Sequence, residues 1–200
     1  MHPDPAFRMP DRAVMEALVE EVGFGMIFAG TPDGPRVAHT PLVSTGDGAV
    51  QFHLANGNAL TRHLAGTTAL AVVNGPDAYV SPRWYTRPGQ VPTWNYVAVE
   101  LEGRVRRMEQ EGTEALLAGI GQRHEARIVD GEPWRTDDVA PAYWRQLARG
   151  ITGFELEIAA WRPTFKLSQN KSLADREQVI AGLEANGSPA LAALMRAFAP

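Results

Sequence analysis

The 200-residue chain has no cysteine, and that absence removes disulfides, Cys-ligated zinc, iron–sulfur clusters and a thiol nucleophile together. No apolar run approaches the roughly 18–20 residues of a membrane span, so no membrane partner is expected. The opening residues, Met1-His2-Pro3-Asp4-Pro5, lack the basic and apolar regions of a signal peptide, and the expected location is cytoplasmic. Positive charge is not in excess either. The formal net charge is -4, whereas a DNA reader usually carries a basic stripe. Familiar catalytic and nucleotide motifs are missing as well. Gly23-Phe24-Gly25 opens a G-x-G pattern but has Phe28 at its sixth position and precedes a strand. His124-Glu125 is followed by Ile128 where a zinc-protease helix needs its second histidine. There is no G-x-S-x-G and no P-loop.

What remains is a soluble globular composition, 44% hydrophobic and 21% charged. With 19 Gly and 15 Pro the chain is turn-rich, which favours short strands over a helical bundle. Its length suits a single domain over residues 1–200, with C-terminal helices over about 172–198.

Periodicity supplies the elements. A helix opens at Pro10-Asp11 and runs to about Glu21, with Val14 and Leu18 on one face. Strands follow over 24–29, 36–44 and 49–54, the last two joined by the hairpin signal Gly46-Asp47-Gly48. A short helix over 58–65 precedes a buried strand over 68–74, a Gly75-Pro76 break and a short extended piece over 78–81. The longest strand covers 96–108, where Val97, Val99, Leu101, Gly103 and Val105 alternate with mostly polar or small residues. Helices over 109–123 and 137–149, a strand over 151–161 and helices over 173–184 and 189–198 complete the chain. Short hairpin links argue against a doubly wound parallel sheet and for an α+β fold built on a closed or partly closed barrel.

Two strings stand out chemically. Tyr79-Val80-Ser81-Pro82-Arg83-Trp84-Tyr85 and Val91-Pro92-Thr93-Trp94-Asn95-Tyr96 concentrate aromatics whose N–H and O–H groups need partners once buried. They suit a flat aromatic ligand or a subunit interface. Lys166-Leu167-Ser168-Gln169-Asn170 adds a cation and three polar side chains. Between them, His53-Leu54-Ala55-Asn56-Gly57-Asn58 ends a strand, with Asn58 placed to cap the next helix. A helix N-terminus exposes unpaired N–H groups to a phosphate, and Asn56, Asn58 and Arg62 are candidate donors.

Taken in order, His53-Leu54-Ala55 with Asn58, Gly75 to Pro82 with Trp84-Tyr85, Val91 to Tyr96, and Lys166 to Asn170 resemble the PaiB family of FMN-binding negative transcriptional regulators. The resemblance covers nearly the whole chain. It implies a split β-barrel of the FMN-binding type with inserted and C-terminal helices, FMN as cofactor, and a homodimer with flavin at the subunit interface. It also implies that the loop from His53 to Asn58 corresponds to the phosphate junction of related barrels. By the same resemblance Trp161 and Lys166 are expected near flavin, Trp84, Tyr85, Trp94 and Tyr96 are candidates to wall the ring or substrate space across the dimer, and Asn95 is a further cofactor-binding candidate. Gln169 and Asn170 bond a flavin edge or cap the following helix. In one place the chain departs from the family, where members resemble His-Met/Leu-Ala-Arg-Ala-Asn. Asn56 stands here in place of that arginine, and Arg62 one turn later is the substitute cation.

The functional expectation is a flavin-binding regulator or sensor. The alternative is an FMN-dependent oxidoreductase or flavin reductase acting on a small molecule or reduced nicotinamide, since flavin itself supplies hydride chemistry. The two C-terminal helices have a helix–turn–helix outline, but residues 189–198 hold one Arg and no Lys, Asn or Gln. A recognition helix needs side chains for base edges and phosphates, so direct DNA binding is not expected.

Overall fold

The computed structural model describes residues 3–8 and 11–198. The first half of the chain forms α1 (Arg12–Val22), β1 (Phe24–Thr31), β2 (Gly34–Pro41), β3 (Val43–Ser44), β4 (Ala49–Ala55), α2 (Thr61–Leu64) and β5 (Thr68–Val80). There follow β6 (Thr93–Arg107), α3 (Gln110–Glu125), α4 (Pro141–Ala148), β7 (Ile151–Lys166), α5 (Leu173–Ala185) and α6 (Pro189–Ala197). Single 3-10 turns lie at Pro5–Phe7, Pro82–Trp84 and Thr136–Asp138.

The chain divides into two compact units. The barrel unit comprises Val19–Val73 and Leu101–Trp161; the second unit comprises Met1–Leu18, Asn74–Glu100 and Arg162–Pro200.

The barrel unit rests on a seven-stranded sheet in the order β2-β1-β5-β6-β7-β4-β3. Strands β1 and β2 form an antiparallel hairpin whose register runs from Phe24 opposite Pro41 to Thr31 opposite Gly34. Gly34 takes φ +97° at the turn, a region that disfavours a side chain. The two ends of the sheet, β2 and β3, are consecutive in the chain and joined by Leu42 alone. So short a link forces the sheet to curl back on itself, because consecutive Cα atoms lie only about 3.8 Å apart. A hydrogen bond from Thr40 Oγ1 to the His53 carbonyl at 2.7 Å, from β2 to β4, marks the closure. This is the partly closed α+β barrel expected from the hairpin links, and the split barrel that the family resemblance implies.

Alternation fills the interior. Ile27, Val50, Phe52, Leu54, Leu101, Phe154 and Leu156 are buried. Phe52 and Phe154 are direct cross-strand partners, their rings stacked at 5.5 Å. Burying each such side chain contributes on the order of 1.5–3 kcal/mol. Gly103 permits the close approach of β6 and β7, since a Cβ there would stand 1.9 Å from the Glu157 carbonyl oxygen.

In the second unit α5 and α6 pack as a hairpin through buried Val179, Leu183, Leu191 and Met195. Trp84 lies against Gly182, where a Cβ would come within 2.4 Å of the indole. The apolar composition of α6 thus serves this packing.

Several boundaries differ from expectation. β5 is continuous across Gly75-Pro76, because a strand flanked in the sheet overrides the local turn preference. Gly75 is instead a packing position, where a Cβ would meet Val97 at 3.1 Å. The helix expected over 58–65 shrinks to four residues, Thr61–Leu64. That expected over 137–149 starts at Pro141, whose missing N–H and fixed φ suit a first helical turn. β7 runs on to Lys166 rather than ending at Trp161.

Candidate functional site

The predicted site residues fall in both units. In the barrel unit they gather where β4 leaves the sheet. Asn56 clips this junction to the start of β7. Its backbone N–H donates to the Gly150 carbonyl at 2.9 Å and its Nδ2 to the Arg149 carbonyl at 2.8 Å. Its Oδ1 accepts from Thr152 Oγ1 at 2.8 Å. Its Oδ1 and one Nδ2–H are thereby engaged within the protein, and the second Nδ2–H of this exposed residue is left for a ligand.

Asn58 does not cap the next helix as expected. Its Oδ1 accepts from the Leu60 N–H at 2.9 Å, a local turn that precedes α2. The helix cap is Leu60, with no side-chain bond, and four residues sum to little macrodipole. The expectation failed because an Asx turn and a helix cap share one sequence signature.

Three features of the junction bear on a ligand. The His53 side chain is half-buried, with its Nδ1 enclosed and without a hydrogen-bond partner. Burial lowers the imidazole pKa from its ordinary value, so the ring is held neutral. Nothing stands within 4 Å of where a Cβ of Gly57 would be. Arg62 is exposed beside this turn, its Nε donating to His63 Nε2 at 2.9 Å. A neutral imidazole with an unmet nitrogen, an open glycine and a nearby guanidinium fit an anionic, hydrogen-bonding group such as the phosphate end of FMN. Trp161 is half-buried on β7 of the same unit.

In the second unit the aromatic strings separate by face. Trp94 and Tyr96, two apart on β6, line an open cleft of about 320 Å³ with Asn74, Gly75 and Asp77. Trp94 is 54% exposed and meets Tyr79 edge-on, with ring centroids 6.3 Å apart. Asn95 points the other way and is fully buried. Its Nδ2 donates to Ser168 Oγ at 2.9 Å, while its Oδ1 has no partner. Trp84 is taken up by packing on α5. Tyr85 is buried beneath the Lys171 ammonium, 4.9 Å from the ring centroid. Burial, and then the Asp175 carboxylate, push its phenol pKa up.

Lys166 donates to Thr93 Oγ1 and to the Trp94 carbonyl. Burial first, and then the neighbouring Lys171, lower its pKa. Gln169 is satisfied locally: its Oε1 accepts from the Leu167 N–H and its Nε2 donates to the Phe165 carbonyl. Neither Gln169 nor Asn170 caps α5. Ser172 does so, accepting from the Asp175 N–H at 3.2 Å. Asp175 in turn accepts from the Thr86 N–H and hydroxyl, bonds that hold its carboxyl below the ordinary value. Sequence reasoning passed over Asp175, Thr86 and Lys171. A pairing across 89 residues leaves no local signal.

The split-barrel topology, with an unmet imidazole nitrogen at the β4 junction, fits the class of flavin-binding split-barrel proteins. The family described as "Putative FMN-binding domain" matches residues 1–160, and the chain belongs to it. It is 28% identical over 187 residues to Protease synthase and sporulation protein PAI 2 of Bacillus subtilis, covering 92% of this chain and 89% of that one. It is also 30% identical over 189 residues to protein AN0679 of Emericella nidulans, covering 78% and 75% of the two chains. Among solved structures, the FAD and haem binding protein of Mycobacterium smegmatis shares the fold with a TM-score of 0.64. Identity there is 17%, over 88% of this chain and 80% of that one.

Proposed function

We propose that this protein holds FMN non-covalently and acts as a flavin-dependent regulatory or sensor protein. The observation that carries the reading is the match along 92% of the chain to a relative named for protease synthesis and sporulation, together with the FMN-binding family match. In the barrel unit, His53 and Arg62 are the proposed contacts for the flavin phosphate, and Trp161 is a further flavin contact. In the second unit, Trp94 and Tyr96 offer a stacking surface for a flat ring. The flavin, once bound, supplies the redox chemistry; the protein orients it, with His53 accepting or donating one hydrogen bond in its neutral form.

Regulation in this reading is indirect. Leu191, Ala192 and Met195 of α6 are buried, and its one basic residue, Arg196, is paired to Glu184 at 2.6 Å. Such a helix has little to offer base edges or phosphates. A titration against its own upstream DNA near 0.15 M salt, with and without FMN, is expected to show no sequence-dependent binding. A steep salt slope with specific binding would refute this.

The exposed Trp94–Tyr79 pair favours a second reading, an FMN-dependent oxidoreductase, because an open aromatic surface can stack a nicotinamide. One experiment separates the two. The absorption spectrum of the purified protein with added FMN reports binding, and NADH or NADPH oxidation reports turnover. Bound flavin without turnover supports the sensor; turnover supports the enzyme; absence of flavin binding defeats both.

A further inference from the structure

Lys166 and Lys171 are the only lysines in the sequence, in which every other strongly basic residue is arginine. Both line the same small cavity of the second unit, about 170 Å³ in volume. Phe7, Tyr85 and Val91 supply its apolar walls, and Asn95 and Ser168 its polar ones. Among the described residues no carboxylate lies within ion-pairing distance of either ammonium. Two like charges are therefore held at one cavity with no carboxylate in ion-pair contact, although Asp175 lies beyond the Tyr85 ring, and Coulomb repulsion between the two is relieved when an anion joins them.

The donors are not exhausted. An ammonium has three N–H groups. Lys166 uses two, on Thr93 and Trp94, and Lys171 uses one, on Gln90 Oε1 at 3.0 Å. The segment between the two lysines is unusual. Ser168 has φ +62°, and it is the one non-glycine residue with positive φ among the described residues. A serine in that region costs on the order of 1 kcal/mol or more, and such strain gathers at ligand sites. At the same wall, Asn95 Oδ1 is a buried acceptor without a donor. The cavity lies below the roughly 300–1,000 Å³ of pockets for drug-sized ligands. It does not suit a tricyclic flavin.

We infer that this cavity binds a small carboxylic acid bearing a hydrogen-bond donor beside its carboxylate, a 2-hydroxy or 2-amino acid with a short apolar arm. The carboxylate bridges the Lys166 and Lys171 ammonium groups, the 2-substituent donates to Asn95 Oδ1, and the arm lies against Phe7, Tyr85 and Val91. Lysine suits the task because its compact charge turns freely at the end of its stem, where a guanidinium would impose a planar fork. Its lining shares no residue with the β4 junction, and the inference does not rest on the flavin reading.

The test is a titration of the full-length protein with L-lactate, propionate and inorganic phosphate. Binding is read from backbone amide shifts of residues 167–171 by NMR, with and without FMN. Flavin absorbance is followed separately, so failure of one reading is not mistaken for failure of the other. Lactate is expected to bind at least about tenfold more tightly than propionate, the difference of one donor to a buried acceptor. Lys171→Gln is expected to weaken lactate by about tenfold or more, the loss of a charge-assisted bond. Val91 is 73% exposed, so Val91→Trp leaves the core alone; it is expected to close the mouth and abolish the shifts. Equal affinity for lactate and propionate, tighter binding of phosphate than of lactate, no saturable binding, or unchanged binding in both variants would each overturn the proposal.

Discussion

Replacing Asn56 by alanine distinguishes a structural clip from a phosphate ligand. The side chain makes two hydrogen bonds of 2.8 Å, to the Arg149 carbonyl and from Thr152 Oγ1. Thr152 is 5% exposed, so its hydroxyl is left without a partner when Asn56 is truncated. A typical hydrogen bond contributes about 0.5–1.5 kcal/mol net, and a buried group left unsatisfied costs about 1–3 kcal/mol. Asn56 itself is exposed, so water replaces part of what is lost at Arg149 and the lower ends apply. The expected loss is about 1.5–2 kcal/mol, which for a chain of this size lowers Tm by about 3–8 °C. Urea unfolding of the flavin-free protein, followed by tryptophan fluorescence, measures it. In a Thr152→Val background the same truncation is expected to cost about 1 kcal/mol less, since no hydroxyl is stranded. A loss under about 0.5 kcal/mol, the range of an ordinary surface change, would refute the reasoning. Combined with a large fall in FMN affinity, it would return Asn56 to the ligand.

Gly103→Ala is expected to cost about 3 kcal/mol or more, because its Cβ meets the Glu157 carbonyl at 1.9 Å and backbone there cannot yield; soluble expression and urea midpoint check it. Asp175 has a folded pKa held below the ordinary aspartate value of about 3.9 by its bonds from Thr86. Its stabilisation is thus present above that value and lost as pH falls through the lower folded value. Wild-type urea midpoints are expected to fall more steeply below about pH 4 than those of Asp175→Asn, and parallel curves would remove the assignment. FMN is expected to bind about tenfold or more tightly than riboflavin, and Arg62→Ala to narrow that gap, as fluorescence titration of each flavin will show; equal affinities would displace the phosphate from the β4 junction. Light scattering is expected to give the mass of a homodimer, consistent with exposed Phe24, Phe28 and Val37 on the β1–β2 hairpin. A monomeric mass at micromolar concentration would reject that assembly.

Much of the barrel could be read along the chain. The strands over 49–54 and 151–161 were identifiable from their apolar residues, and Phe52, Leu54, Phe154 and Leu156 proved to face inward. A strand's period of two placed Asn95 opposite Trp94 and Tyr96, a signal available in the sequence though not drawn from it. Where turn chemistry and pairing conflicted, the sequence misled. Gly75-Pro76 reads as a break, yet β5 runs through it because its neighbours in the sheet hold it extended. Asn58 reads as a cap, yet its side chain closes a turn before the helix starts.

The sequence by itself determined the class of fold, the polarity of each strand face and the exclusion of thiol and disulfide chemistry. These rest on side-chain alternation, turn preferences and atoms that are simply missing, all properties of neighbouring residues. Only the tertiary structure decided which polar groups are used up and which are left over. Asn56 Oδ1 and one of its Nδ2–H groups go to residues 149–152, Thr86 to Asp175, and Asn95 Nδ2 to Ser168, while His53 Nδ1, Asn95 Oδ1 and the spare donors of both lysines remain. Those pairings join residues about 70–100 positions apart, where partner choice depends on how the whole chain closes and packs rather than on any local preference.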